Sequence, residues 1–248
     1  MKRIIDFFSR ILWGNGRPTT PSPPPRPQKK PPLQKVEVSE PIETPPTISK
    51  TETVQNEKDE KSMSKRIILI AGHHGPGTGA NGFLDEGAEN IRVRDDLHKK
   101  LIELRVSDEN IITDKGRDNV VLRDIVSWLR NDVIREDDIC IDIHFNAATA
   151  TATGIETFVP NHPTANELNL AREVNNAMVA ALGLRDRGVK WERESHVGTL
   201  AMLSFNCTTI LLEICFVTNE NDVRAYRENY DRLIDGLGNA IANHFFIS

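Results

Sequence analysis

The stretch IILIAGHHGPG, residues 67–77, joins an uninterrupted apolar run to two histidines and a glycine-rich turn. The run Ile67–Ile70 is far too short to span a membrane. It is also too continuous for a strand with one wet face, so a strand covered on both sides is expected. His73 then falls just past the carboxyl end, where open α/β sheets bind their ligands. Two further apolar runs close in the same way: ICIDIHFN, 139–146, on His144 and TTILLEICF, 208–216, on Glu213.

Outward from this stretch the pattern alternates. Strands are expected at Arg66–Ala71, Asn110–Ile112, Ile139–His144, Gly154–Val159, Leu200–Leu203 and Thr209–Ile214. Between them, Ile91, Val93, Leu97, Leu101 and Leu104 keep helical spacing, as do Val120, Val121, Ile125, Trp128 and Leu129. Further helices are expected around Ala165–Leu182 and from Glu220 to Phe246, the last burying Leu233, Leu237, Ile241 and Phe245. This rhythm implies an α/β single domain over residues 65–248, with a twisted, mainly parallel sheet flanked by helices on both faces.

Ahead of it the composition changes. Of the 14 prolines, 11 precede residue 47, and no aromatic residue occurs between Trp13 and residue 65. Residues 15–64 bury too little apolar area to offset their ordering entropy, and are expected to form a disordered linker. Residues 1–14, MKRIIDFFSRILWG, set Ile4, Ile5, Phe8, Ile11 and Leu12 against Lys2, Arg3, Asp6 and Arg10, the pattern of a short amphipathic helix. Peripheral membrane contact, docking on another protein and an unusual export signal are its three readings. A standard secretory signal does not fit, because Asp6 and Arg10 interrupt the apolar core and no small-residue cleavage site follows.

A net charge of −5, without a Lys/Arg stripe on any reconstructed face, argues against nucleic acid as a partner. Cys140, Cys207 and Cys215 sit in or beside apolar runs and are odd in number, so buried free thiols are expected, with a Cys207–Cys215 pair as the alternative. No CxxC spacing offers a structural metal site.

Two chemistries compete for the glycine-rich loop. A phosphate site is one, but GHHGPGTGANG matches neither GxGxxG nor a P-loop. Metal binding is the other. Adjacent His73 and His74 would point to opposite sides of an extended backbone, so one of them faces the cleft. His144 ends another buried strand, and Glu86, with Glu89 one turn later on the same face, opens the helix after the loop. Two imidazoles and a carboxylate with one position open is a catalytic zinc arrangement. Glu213, flanked by apolar residues, is costly to bury unless a cation or hydrogen bonds balance it. It fits a general base for water activated by the ion. The alternative is a salt bridge to an arginine such as Arg187. His98, His162 and His244 read as surface residues, and His196 as a candidate for lining the substrate groove.

Taken together, His73 in AGHHG, Glu86 before a helix, His144 in IHFNAA, Gly154-Ile155-Glu156, the loop Arg187-Gly188-Val189-Lys190 and ILLEICFVTNENDV resemble the zinc-dependent N-acetylmuramoyl-L-alanine amidase family of the AmiC-like type. The likeness covers residues 66–246, with the motifs in the family's order. Two departures stand out, Ala71 where the family often has Asp and His74 where it often has Gly.

The resemblance implies zinc held by His73, Glu86 and His144, with Glu213 as the catalytic carboxylate. Asn146 in the HxN match would hydrogen-bond around the ligands, and Arg187, like His196, would support the ligands or contact substrate. The substrate implied is peptidoglycan, cut between the lactyl group of muramic acid and L-alanine. The expected enzyme is a monomer acting on the cell wall, on its periplasmic or extracellular side. With no wall-binding repeat and no clear signal peptide, a phage endolysin is favoured over a bacterial remodelling enzyme. A non-catalytic peptidoglycan-binding module and a zinc peptidase cutting within the stem peptide are the competing readings.

Overall fold

A computed structural model describes residues 65–73 and 78–248. The expected helix at 1–14, the linker at 15–64 and His74 lie outside the described residues.

Ile67–Ala71 form β1, and every one of its side chains is buried. The chain continues through α1 (Glu86–Glu103), β2 (Ile111–Thr113), α2 (Leu122–Trp128), β3 (Ile139–Asn146), β4 (Ile155–Val159), α3 (Ala165–Leu182), β5 (Asp186–Trp191), β6 (Thr208–Phe216), α4 (Glu220–Glu228) and α5 (Tyr230–Ile247). The six strands form one sheet in the order β2-β1-β3-β6-β4-β5. The first four in that order are parallel. β4 runs antiparallel to β6 and parallel to β5, so the sheet is mixed but mostly parallel, as expected.

Alternation along β1 divides the core. Ile68 and Ile70 pack with Cys140, Ile125, Leu129, Met202 and Phe205 on the α2 face. Ile67 and Leu69 point to the opposite face, where α1 and α3 pack on the sheet and α5 packs on both helices. Capping fixes two helix starts: Asp85 accepts from the Ala88 amide at α1, and Thr164 with Glu167 makes a reciprocal capping box at α3.

Four local expectations fail for physical reasons. Val120 and Val121 precede α2 instead of lying on its buried stripe, and Val121 is exposed. Residues 187–190 are part of strand β5, not a loop; its charged DRGVKW sequence lacks alternation because it is an exposed sheet edge. The strand expected at Leu200–Leu203 is absent; Ala201–Ser204 form a 3-10 turn that buries Met202 and Leu203, since a short apolar run does not specify its backbone. The last helix is two, broken at Asn229, whose backbone (φ −120°, ψ 20°) departs from the helical value. The sequence also gave no hint that α2 ends in one wide π turn, Leu129–Val133.

Residues 65–73 enter the sheet between the two neighbours of β1. From β1 the chain crosses through α1 to β2 on one side, and from β2 through α2 to β3 on the other. The gap beyond the carboxyl ends of β1 and β3 is therefore a topological switch point, the crevice where doubly wound sheets place ligands. Among the described residues, no helix is long and apolar enough to cross a membrane.

Candidate active site

Each side chain of the cluster at this crevice arrives on its own element. His73 follows β1, Glu86 is the first residue of α1 and His144 is near the end of β3. The three offer ligand atoms that all lie within 4.8 Å of one another. Glu86 Oε1 is 3.3 Å from His144 Nδ1 and 3.7 Å from His73 Nε2. The two imidazoles meet edge to face, ring centroids 5.1 Å apart. His73 has a left-handed backbone (φ 53°) instead of the extended one expected, a costly conformation that is concentrated at functional sites.

Protein groups alone fix Glu86 in place. Its Oε2 accepts from the Ala80 amide at 2.7 Å and its Oε1 from the Phe145 amide at 3.2 Å. Burial alone would raise its pKa, but the His144 hydrogen bond and the charges of His73 and His144 outweigh it and hold it below the usual value. Glu89, the alternative carboxylate, is engaged elsewhere: Tyr226 Oη donates to it at 2.7 Å and Arg92 lies 3.4 Å away.

His144 is oriented from its far side by Asp142, 3.0 Å from Nε2. In the metal-free protein burial opposes charge on this ring, yet Asp142 and then Glu86 outweigh it, so its pKa stands well above the ordinary value. With Nε2–H directed at Asp142, Nδ1 is the nitrogen available to a cation, the carboxylate–histidine arrangement common around metals. Backbone fit adds to this. A Cβ on Gly72 would lie 2.3 Å from the His144 ring, and one on Gly79 would lie 2.7 Å from Glu86 Oε2 and from the His73 ring. Only glycine lets the chain close around the cluster at these two points. Donor set, supporting carboxylate and close backbone together fit a divalent metal cation.

Glu213 lies in β6 directly opposite His144 in the strand register. Its Oε2 is enclosed and has no hydrogen-bond partner. Burial is the main cause, opposed by His144 and reinforced by Glu86, Glu156 and Asp142, that pushes its pKa up to about 8. The alternative of a salt bridge to Arg187 does not occur, because Arg187 Nε binds Glu156. Asn146 also turns to Glu156, its Nδ2 donating at 2.7 Å. Asn146 and Arg187 thus converge on a second carboxylate instead of the histidine cluster, and His196 is exposed outside that cluster.

Sequence reasoning missed the support beneath the cluster. Glu86, Asn90 and Arg94 stand one turn apart on the buried face of α1. Asn90 Nδ2 donates to the Gly72 carbonyl at 2.6 Å, and Arg94 Nη1 binds Asp114 Oδ1 at 2.8 Å, which accepts from the Ala71 amide. The helix that carries Glu86 therefore also fixes the strand end that delivers His73. The i, i+4, i+8 polar spacing was the available signal. For Asp142, the signal was a carboxylate two residues before His144, on the same strand face.

Residues 67–243 match the Amidase_3 family model, described as N-acetylmuramoyl-L-alanine amidase. Among curated relatives, the uncharacterized protein YqiI of Bacillus subtilis is 28% identical over 186 residues, 73% of this chain and 85% of that one. N-acetylmuramoyl-L-alanine amidase LytC of Bacillus subtilis is 24% identical over 180 residues, 71% of this chain but 34% of LytC. The crystal structure of N-acetylmuramoyl-L-alanine amidase from Clostridium difficile 630 superposes with a TM-score of 0.61 at 23% identity, covering 75% of this chain and all of that one; the two share a fold.

Proposed function

Since the chain belongs to the N-acetylmuramoyl-L-alanine amidase family, we propose that it is a zinc-dependent peptidoglycan hydrolase cutting the amide between the lactyl group of N-acetylmuramic acid and L-alanine. The observation that carries this reading is the register pairing of Glu213 with His144, which sets an unpartnered buried carboxylate oxygen beside the His73–Glu86–His144 cluster.

His73, Glu86 and His144 would hold the ion, which supplies Lewis acidity, bringing a water's pKa toward about 7 and polarising the scissile carbonyl. Asp142 keeps the His144 Nδ1 lone pair directed at the ion by accepting from Nε2–H. Glu213 Oε2 takes the proton of the attacking water and returns it to the amine of L-alanine as the C–N bond breaks. The site of action is the wall itself.

Digestion of purified peptidoglycan tests the reaction. New L-alanine amino termini on intact glycan are expected, abolished by complete chelation and restored by zinc. New reducing sugars or other peptide ends would replace the reading, and full activity without metal would remove zinc from it.

Gly72 gives a separate test of the ligand set. In Gly72→Ala the added methyl must displace the His144 ring, so zinc affinity is expected to fall by about 10–100-fold, the usual cost of disturbing a ligand's support. Competition against a chromogenic chelator measures it, and circular dichroism checks that the fold is retained. Unchanged affinity would take His144 out of the ligand set.

A further inference from the structure

A row of charged side chains crosses the sheet away from the histidine cluster. In register, His144 of β3 pairs with Glu213 of β6, Glu213 with Glu156 of β4, and Glu156 with Gly188 of β5. The reversal of β4 and β5 makes this possible. Their beginnings, not their ends, lie at the rim where β1, β3 and β6 finish.

At the far end of the row two cations share one carboxylate. Arg187 Nε and Lys190 Nζ both bind Glu156 Oε2, while Asn146 Nδ2 occupies Oε1. Glu156 is buried, but the Arg187 and Lys190 side chains remain 26% and 23% exposed. Two cations thus meet on the single carboxylate of Glu156, and both keep part of their surface open to solvent. The Arg187 guanidinium also lies 5.0 Å from the ring of Phe216, three residues beyond Glu213 on β6.

We propose that Arg187 and Lys190 form a carboxylate-binding subsite for the substrate, taking the free α-carboxylate of the residue that follows L-alanine in the peptide. This rests on the amidase reading and adds a specificity to it. The spacing supports that residue. The two cations rise from β5, but their charged tips meet Glu156 on β4, which stands two strand separations from β3, about 10 Å. An extended two-residue span of about 7 Å plus a charge-assisted hydrogen bond of about 3 Å bridges the same distance. A carboxylate there meets cations fixed by Glu156, so little side-chain freedom is lost on binding. An uncharged carboxamide at that position would forgo the charge.

The test compares two synthetic muropeptides with the full zinc-loaded chain. They differ only in whether the second peptide residue carries a free α-carboxylate or its carboxamide. Wild type is expected to favour the acid by about tenfold or more in kcat/KM, mostly through KM. Lys190→Met should collapse that ratio toward one, whereas Lys190→Arg should keep it. Should Lys190→Met misfold, raising the salt concentration on wild type gives the second measurement, since an electrostatic preference must shrink as charge is screened. Equal wild-type rates on the two substrates, or a ratio unmoved by both Lys190→Met and salt, overturn the subsite and leave the amidase reading standing. Cleavage of neither muropeptide at the lactyl amide would instead overturn the amidase reading on which the subsite depends.

Discussion

Glu213→Gln is expected to lower kcat by about 10²–10⁴-fold, the range lost when a positioned general base is removed, with zinc still bound at full stoichiometry. The substitution keeps shape and volume but cannot accept the proton. The same variant should behave oppositely in stability. In the metal-free protein the Glu213 pKa is raised from 4.5 to about 8, chiefly by burial. A carboxyl raised in this way contributes fully below its unfolded value of 4.5. Its contribution declines from there as pH rises and is gone above about 8. Metal-free wild type should therefore lose up to a few kcal/mol between pH 5 and 8 that Glu213→Gln retains. Chemical denaturation of both proteins at the two pH values measures it, and inductively coupled plasma analysis measures the zinc. An active Glu213→Gln enzyme removes the general-base assignment, and equal pH slopes remove the account of its burial.

Arg94→Met is expected to destabilise the fold by about 3–5 kcal/mol, as when one member of a buried ion pair is deleted. Arg94 is wholly buried and binds Asp114, Asp118 and Asp95. Asp114 is also fully buried, so deleting the guanidinium leaves a carboxylate without its main balancing charge. Methionine retains most of the packing, which separates the charge effect from a cavity. Urea unfolding of Arg94→Met, Asp114→Asn and the double variant forms a cycle in which the double variant loses less than the sum of the two. A loss under about 1 kcal/mol for Arg94→Met would mean that the aspartates find other partners.

The parts of the fold legible in the sequence were those where burial leaves a pattern. β1, β3 and β6 are covered on both faces, so they read as continuous apolar runs. The polar residues ending those runs, His73, His144 and Glu213, then stood out as expensive where they are. β5 was not legible, because an edge strand such as DRGVKW has few buried positions to pattern. The direction of β4 was not legible either, since alternation records which faces are covered and not which way the chain runs. Arg94 was hidden for a different reason: an arginine beside aspartates on an amphipathic helix has the composition of a solvated face. Glu86 and Glu89 could not be separated by helical periodicity; what separates them is the Tyr226 hydroxyl, 137 residues away in sequence.

The reversal of β4 and β5 has a consequence for how such a chain can diversify. Segments leaving β1, β3 and β6 overhang the same rim as those entering β4 and β5, residues 147–154 and 183–185. The entering segments carry none of the three proposed ligands, so outside Thr153 and Gly154, which Asp222 ties down, they can vary while the ligand-bearing ends stay fixed. Exchanging 147–154 among relatives should retune which walls are cut without rebuilding the centre that cuts them.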